Sequence, residues 1–277
     1  MRFRLARHAD DAARLAAIAV MAGSVVFLCL PLLVSVAMSF DSRDYLGRFR
    51  PAGFSVQWYV RFFSGDYLIK GLEFSVGLAV LAALISSAVG VAAAVAIDRS
   101  RQRVRDLLSS LFLSPLVVPG VVVGFALILF YGRVGLDDAF LRMLGGHVLI
   151  TFPYVLRTTL GSLAGIRSSL TRAAMSLGAN ERRAFWTITF PLARTGIFAG
   201  AIFAFAFSLD DVAMTLFLTD PGHYTLPVAL VSMMYSNFDL TIAAVAVLLV
   251  ASTLVLMVCL DRLVGLDRIV GVGVYRS

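Results

Sequence analysis

Charge is scarce in this sequence, and lysine is almost missing. Asp, Glu, Lys and Arg supply 15% of the 277 residues, and the one lysine, Lys70, follows Ile69 rather than a glycine. A G-x-x-x-x-G-K-[ST] loop needs its lysine directly behind a glycine to reach bound phosphates, so the chain holds no such loop and is not itself a P-loop ATPase. Histidine is nearly as rare. His8, His147 and His223 stand far apart and form no H-x-x-x-H or other metal-ligand spacing, which argues against a metalloenzyme. No G-x-S-x-G elbow marks a serine as a nucleophile. The two cysteines, Cys29 and Cys259, fall inside apolar stretches, where they act as small hydrophobes rather than as a redox pair. The chain is therefore not expected to be an enzyme or to hold a metal or cofactor, and any chemical work has to come from elsewhere.

What the sequence has is apolar surface. Hydrophobic residues make up 60% of it and the mean hydropathy is +0.89, more than a water-facing surface tolerates. At about twenty apolar residues per crossing, the pattern predicts an all-α, polytopic membrane protein. One domain, 1–277, holds six spans at about 14–40, 71–97, 107–131, 146–164, 191–218 and 239–260. The first run is too long for a signal-peptide core and lacks a clean cleavage site, so it is expected to stay as a span.

The net charge of +7 would suggest nucleic acid in a soluble protein. Here topology explains it, and no nucleic-acid partner is expected. Seventeen of the 24 basic residues fall on the side of the termini, the 98–106 loop "DRSRQRVRD" and the 157–194 region, against seven opposite. By the positive-inside rule both termini are cytoplasmic. On the other side, "GFSVQWYVRFFSGDY" suits a short helix in contact with membrane lipids at the interface, and 219–237, without Lys or Arg, reads as an outer loop.

One stretch breaks the apolar pattern. In "TRAAMSLGANERRAFWTITFP", 171–191, Leu170, Ala173, Ala174 and Leu177 form one stripe of a short helix. Gly178 then stops that helix, and Asn180 with Glu181 begins a second one. The small residues Ala173, Ala174, Gly178 and Ala179 permit close backbone approach, either to the protein's own bundle or to a partner.

This stretch resembles the E-A-A-x-x-x-G-A motif of permease subunits of bacterial ABC importers. Ala173, Ala174, Gly178 and Ala179 are in register, and F-x-x-I-x-x-P-L follows as Phe185, Ile188, Pro191 and Leu192. "GFSVQWY", "LSPLVVPGVVVGFAL", "FAFSLDDVAMTLFLT" and "TLPVALVSMM" extend the likeness over most of the chain, toward permeases of the spermidine/putrescine importer type. The resemblance implies a type I ABC importer permease fold and a coupling segment at about 165–190. There Arg172, Ala173, Ala174, Gly178, Ala179 and Phe185 would meet a separate ATPase, and ATP and Mg would be used by that subunit. It further implies a second permease as heterodimer partner, two ATP-binding subunits, a periplasmic solute-binding protein and the bacterial inner membrane as location. Arg172 replaces the family's acid, and near a helix N-terminus it would lie on the wrong side of the dipole.

Carboxylates inside a span are costly and by default face an interior or a wet cavity, which singles out Asp210 and Asp211. Asp210 lies roughly 21 Å up the helix from Gly196 at 1.5 Å per residue. The pair either lines a passage for a cation or pairs structurally with Arg133 or Arg157; the residues alone leave both open. Tyr131, Tyr154 and Phe207 could wall such a passage or simply pack. Pro115 and Pro119 are expected to kink the third span, and Arg157 to reach back toward the membrane surface. An ion-coupled carrier using Asp210 or Asp211, or a membrane scaffold that moves no solute, would account for the same composition.

Overall fold

A computed structural model describes residues 2–43 and 52–264, without the side chains of 2–13, 168, 260, 261, 263 and 264. Arg48, Arg50, Arg268 and Arg276, counted above for orientation, lie outside the described residues. The chain divides into two compact units, one from 1–65 with 233–251 and one from 66–232 with 252–277.

In the first unit, α1 (Arg2–Ser39) carries a span at Arg14–Ser39. Its apolar side chains from Leu15 to Leu30 are exposed, as for a surface meant for lipid or another protein. After α1 the chain folds onto α2 (Gln57–Ser64). Buried Asp41 holds this turn together: it is ion-paired with Arg43 and accepts the Ala52 N–H at 3.1 Å, while its own carbonyl accepts from Trp58 Nε1 at 2.7 Å. The hydrogen-bonded Arg43 guanidinium holds the Asp41 carboxyl down at about 2. Trp58 and Phe62 are therefore packing residues, while Phe54, Phe63 and Tyr67 of the same stretch are exposed. Trp58 packs against Leu240 and Ala244 at the start of α12 (Thr241–Val264), and Arg61 pairs with Asp239 at 3.2 Å.

The second unit is built on α3 (Asp66–Asp98), α6 (Ala139–Ala164) and α9 (Phe190–Asp210), each long and apolar enough to cross a membrane, α9 as part of the 181–210 helix. Small residues let these helices approach. A Cβ at Gly200 would lie 2.8 Å from Val155 Cα, and one at Gly90 2.9 Å from Val155 Cβ. Without a hydrophobic drive between helices in lipid, such close packing is a main source of cohesion. Ala94, Ile97, Leu156, Leu163, Ala193 and Ile197 fill one core of this unit.

Three segments differ from the sequence expectation. The stretch 107–131 is bent far more sharply than a single proline kink: Gln102–Leu116 and Gly120–Val134 meet at 97°. Here α4 (Gln102–Leu113) runs into a 3-10 turn, and α5 (Gly120–Val134) begins after Pro119. Pro115 has no N–H for the Leu111 carbonyl, and the Ser114 hydroxyl takes that carbonyl at 2.7 Å. Pro119 then disfavours helix at Val118, so two prolines four residues apart break the ladder. The fifth helix runs from Glu181 to Asp210 rather than 191–218. Pro191 lies inside it, directly after a π turn at Phe185–Thr189 in which the Phe190 N–H reaches back to the Phe185 carbonyl. Finally, 219–237 is not simply a loop. It contains α11 (Leu226–Ser236), whose first N–H donates to Ser75 Oγ on α3 at 2.7 Å.

Candidate functional site

Two places in the second unit carry the sequence-predicted residues. The first follows α7 (Ser168–Ser176). Gly178 adopts φ +91°, its N–H donates to the Met175 carbonyl at 3.0 Å, and the Ala179 N–H donates to the Ala174 carbonyl at 3.0 Å. This pair of bonds is the Schellman helix stop, which needs a left-handed residue that glycine supplies without strain. Asn180 Oδ1 then accepts the Arg183 N–H at 2.8 Å and caps α8 (Glu181–Ala184).

The corner points outward. Leu177 is 89% exposed, Arg172, Ala173 and Gly178 are exposed, and Ala174, Ala179 and Phe185 are half-buried. Space around Gly178 is open, and a Cβ placed there would have no neighbour within 4 Å. Arg172 is the fifth residue of α7, beyond the first turn where the helix dipole acts, so the unfavourable dipole expected for it does not arise. The nearest acid in the sequence, Glu181, is engaged by Arg99 of α3 at 3.0 Å. Beside the corner, α3 and the 181–197 stretch enclose an apolar groove of about 750 Å³ lined by Val91, Val95, Trp186 and Phe190, with Arg99 and Arg182 also on its wall.

The second place is the end of α9. The helix stops at Asp210, and Asp211 is extended, with φ −69° and ψ 129°. The two carboxylates are therefore not neighbours on one helix. Asp210 is exposed and has no hydrogen bond or ion pair among the described residues. Asp211 is half-buried, and its Oδ2 accepts both the N–H and the hydroxyl of Thr215, at 3.0 and 2.7 Å, starting α10 (Thr215–Leu218). Neither is paired with Arg133 or Arg157.

Phe207, one turn before Asp210, is exposed and packs against Tyr154 of α6, with ring centroids 4.7 Å apart and planes tilted by 41°, so Phe207 and Asp210 share a face with Tyr154 beside them. Tyr131 is not among them. It is 8% exposed and belongs to a core with Leu78, Met143, Ile150, Met214 and Leu218. Arg157 is exposed.

Sequence reasoning missed His147, Ser208 and Thr215. His147 is fully buried in α6, with Nδ1 2.7 Å from Ser208 Oγ and Nε2 3.0 Å from Thr215 Oγ1. A histidine within an apolar span was the available signal. Among the described residues no group of histidine, cysteine and carboxylate side chains could hold a metal.

Residues 86–266 match the family model described as binding-protein-dependent transport system inner membrane component. The spermidine/putrescine transport system permease protein PotC of Shigella flexneri is 28% identical over 253 residues, 91% of this chain and 95% of that protein. The putrescine transport system permease protein PotI of Escherichia coli K12 is 30% identical over 233 residues, 82% of each chain. Among solved structures, a chain of a bacterial alginate ABC transporter, crystallised with its alginate-bound periplasmic protein, superimposes with a TM-score of 0.68. The match covers 91% of this chain and 95% of that one at 14% identity.

Proposed function

From the premise that the chain belongs to the family of binding-protein-dependent transport system inner membrane components, we propose that it forms half of a translocation pathway driven by a separate ATPase, for a small organic cation of the polyamine class. The observation that carries the coupling is the exposed corner at Leu177–Ala179. This hydrogen-bonded turn presents the 89% exposed Leu177 together with exposed Leu170 and Met175 of the preceding helix, apolar surface of the kind another protein covers. Arg172, Ala173, Ala174, Gly178, Ala179 and Phe185 form the docking element, and the termini share its cytoplasmic side.

A second, similar permease would complete the pathway, two ATP-binding subunits would dock at the corner and its counterpart, and a periplasmic protein would deliver the solute. In that assembly Asp210 with Phe207 and Tyr154 offers a carboxylate and aromatic faces, the groups that attract an organic cation. The relatives named for spermidine and putrescine transport support the same class. ATP binding closes the ATPase pair, carries the corner with it and tilts the spans to open the pathway outward.

The test is gentle purification of the tagged chain from its native membranes with mass spectrometry of what remains bound, together with [14C]spermidine uptake. A P-loop ATPase and a second permease are expected, both lost in Gly178→Trp, with uptake that stops when ATP is withheld. Uptake that persists without ATP but collapses with the ion gradient would identify an ion-coupled carrier instead.

A further inference from the structure

We infer that His147 is a positioning residue that commits one carboxylate of the Asp210–Asp211 pair to the fold and leaves the other for the solute; the functional half of this rests on the transport role given above. The inference follows from counting protons along one chain of hydrogen bonds. Asp211 Oδ2 already accepts the Thr215 backbone N–H at 3.0 Å, and as a carboxylate it can only accept. The Thr215 hydroxyl has one proton and donates it to the same oxygen at 2.7 Å. Thr215 Oγ1 can therefore only accept from His147 Nε2, 3.0 Å away, so Nε2 carries the hydrogen. A neutral imidazole has one N–H, which leaves Nδ1 as acceptor for the Ser208 hydroxyl at 2.7 Å.

The chain thus runs one way, Ser208 to His147 to Thr215 to Asp211, and joins three elements. His147 belongs to α6, Ser208 to the last turn of α9, and Thr215 to the first turn of α10. All of it except half-buried Asp211 is buried. A second pair fixes the same part of α6 to α3: Thr151 donates to the His147 carbonyl at 2.7 Å, and Ser86 Oγ meets Thr151 Oγ1 at 2.7 Å. In a water-poor interior, a polar chain with every member satisfied pins its elements, and removing one member strands the rest. What is pinned is the break after Asp210. With the Asp211 carboxylate held by the Thr215 N–H and hydroxyl, the backbone turns extended and Asp210 stays on the exposed face with Phe207.

Three histidines in the chain make the tautomer measurable. The full chain, labelled with 15N-histidine and held in nanodiscs at pH 7, is read by nitrogen NMR, with His147→Gln identifying the signal. The expected result is an Nε2–H ring for His147 that changes to Nδ1–H in Asp211→Ala, because the freed Thr215 proton can then be donated to Nε2. An imidazolium or Nδ1–H ring in the unmodified protein, or no change in Asp211→Ala, overturns the proposal.

The transport consequence is read on the assembled transporter with [14C]spermidine. His147→Leu and Thr215→Val are each expected to raise KM about fivefold or more. His147→Gln, whose amide still donates and accepts, should restore KM to within about twofold. A His147→Leu or Thr215→Val transporter with unchanged KM also overturns the proposal. Absence of ATP-driven spermidine uptake by the unmodified transporter would instead remove the polyamine assignment, and the tautomer measurement would still decide the role of His147.

Discussion

The N–H of Ala179 donates to the carbonyl of Ala174 at 3.0 Å, five residues back, and closes the corner after α7 around a left-handed Gly178. A residue with a Cβ is strained by roughly 1–2 kcal/mol in that conformation, although nothing crowds the site. Gly178→Ala should therefore weaken the turn through backbone strain alone. Hydrogen exchange at the amides of 178 and 179 should quicken by about tenfold, the equivalent of about 1.4 kcal/mol. Gly178→Asn, which tolerates the left-handed region, should change it less. Equal exchange in all three proteins would show that the glycine is not needed for the turn.

That corner was legible in the sequence because its signals are local: a glycine directly after the apolar stripe, and a capping asparagine two residues on. The end of α9 was not. Hydropathy runs on past Asp210 into Val212–Leu218, so an apolar count cannot see where the ladder stops. The partner that marks the stop, His147, lies 61 residues before Ser208 and 68 before Thr215. The 97° break between α4 and α5 was half legible: each of Pro115 and Pro119 announces a kink, but proline alone does not fix the size of the turn. Pro191 misled for the opposite reason, since the helix continues through it after a π turn.

The contact of α9 with α6 sets a second expectation. A Cβ at Gly200 would sit 2.8 Å from Val155 Cα and 3.5 Å from Val155 Cβ, and backbone cannot give way as a flexible side chain can. Gly200→Val should lower stability by about 1–3 kcal/mol through overpacking, read as an earlier thermal transition in detergent. Gly77, in α3 with nothing within 4 Å of an added Cβ, provides the contrast. Gly77→Ala should be neutral or gain up to about 1 kcal/mol from helix propensity.

The turn between α1 and α2 should respond to acid. Asp41 is held at about 2 by the Arg43 guanidinium, below its ordinary 3.8. A depressed carboxyl contributes stability that is fully present above the unfolded value and is lost as pH falls through the folded one. Trp58, bonded to the Asp41 carbonyl, should report the loss by fluorescence between about pH 4 and pH 2 in a Trp186→Phe background. Arg43→Met should move the transition to higher pH, and an unshifted transition in that variant would show that the ion pair does not hold the turn.

The unequal roles of the two carboxylates give the last expectation. Among the described residues Asp210 is exposed and unpartnered while Asp211 is consumed by Thr215, so neutralising them should fail in different ways. Asp210→Asn removes a charge and disturbs no hydrogen bond, and should raise KM for spermidine about tenfold, the equivalent of about 1.4 kcal/mol, with little change in thermal stability. Asp211→Ala strands the Thr215 N–H and forces its hydroxyl to turn to His147 Nε2, and should cost about 1–3 kcal/mol of stability as well as transport. The pair of measurements separates electrostatics from architecture: if Asp210→Asn lowers stability and Asp211→Ala does not, the assignment of the two residues is reversed.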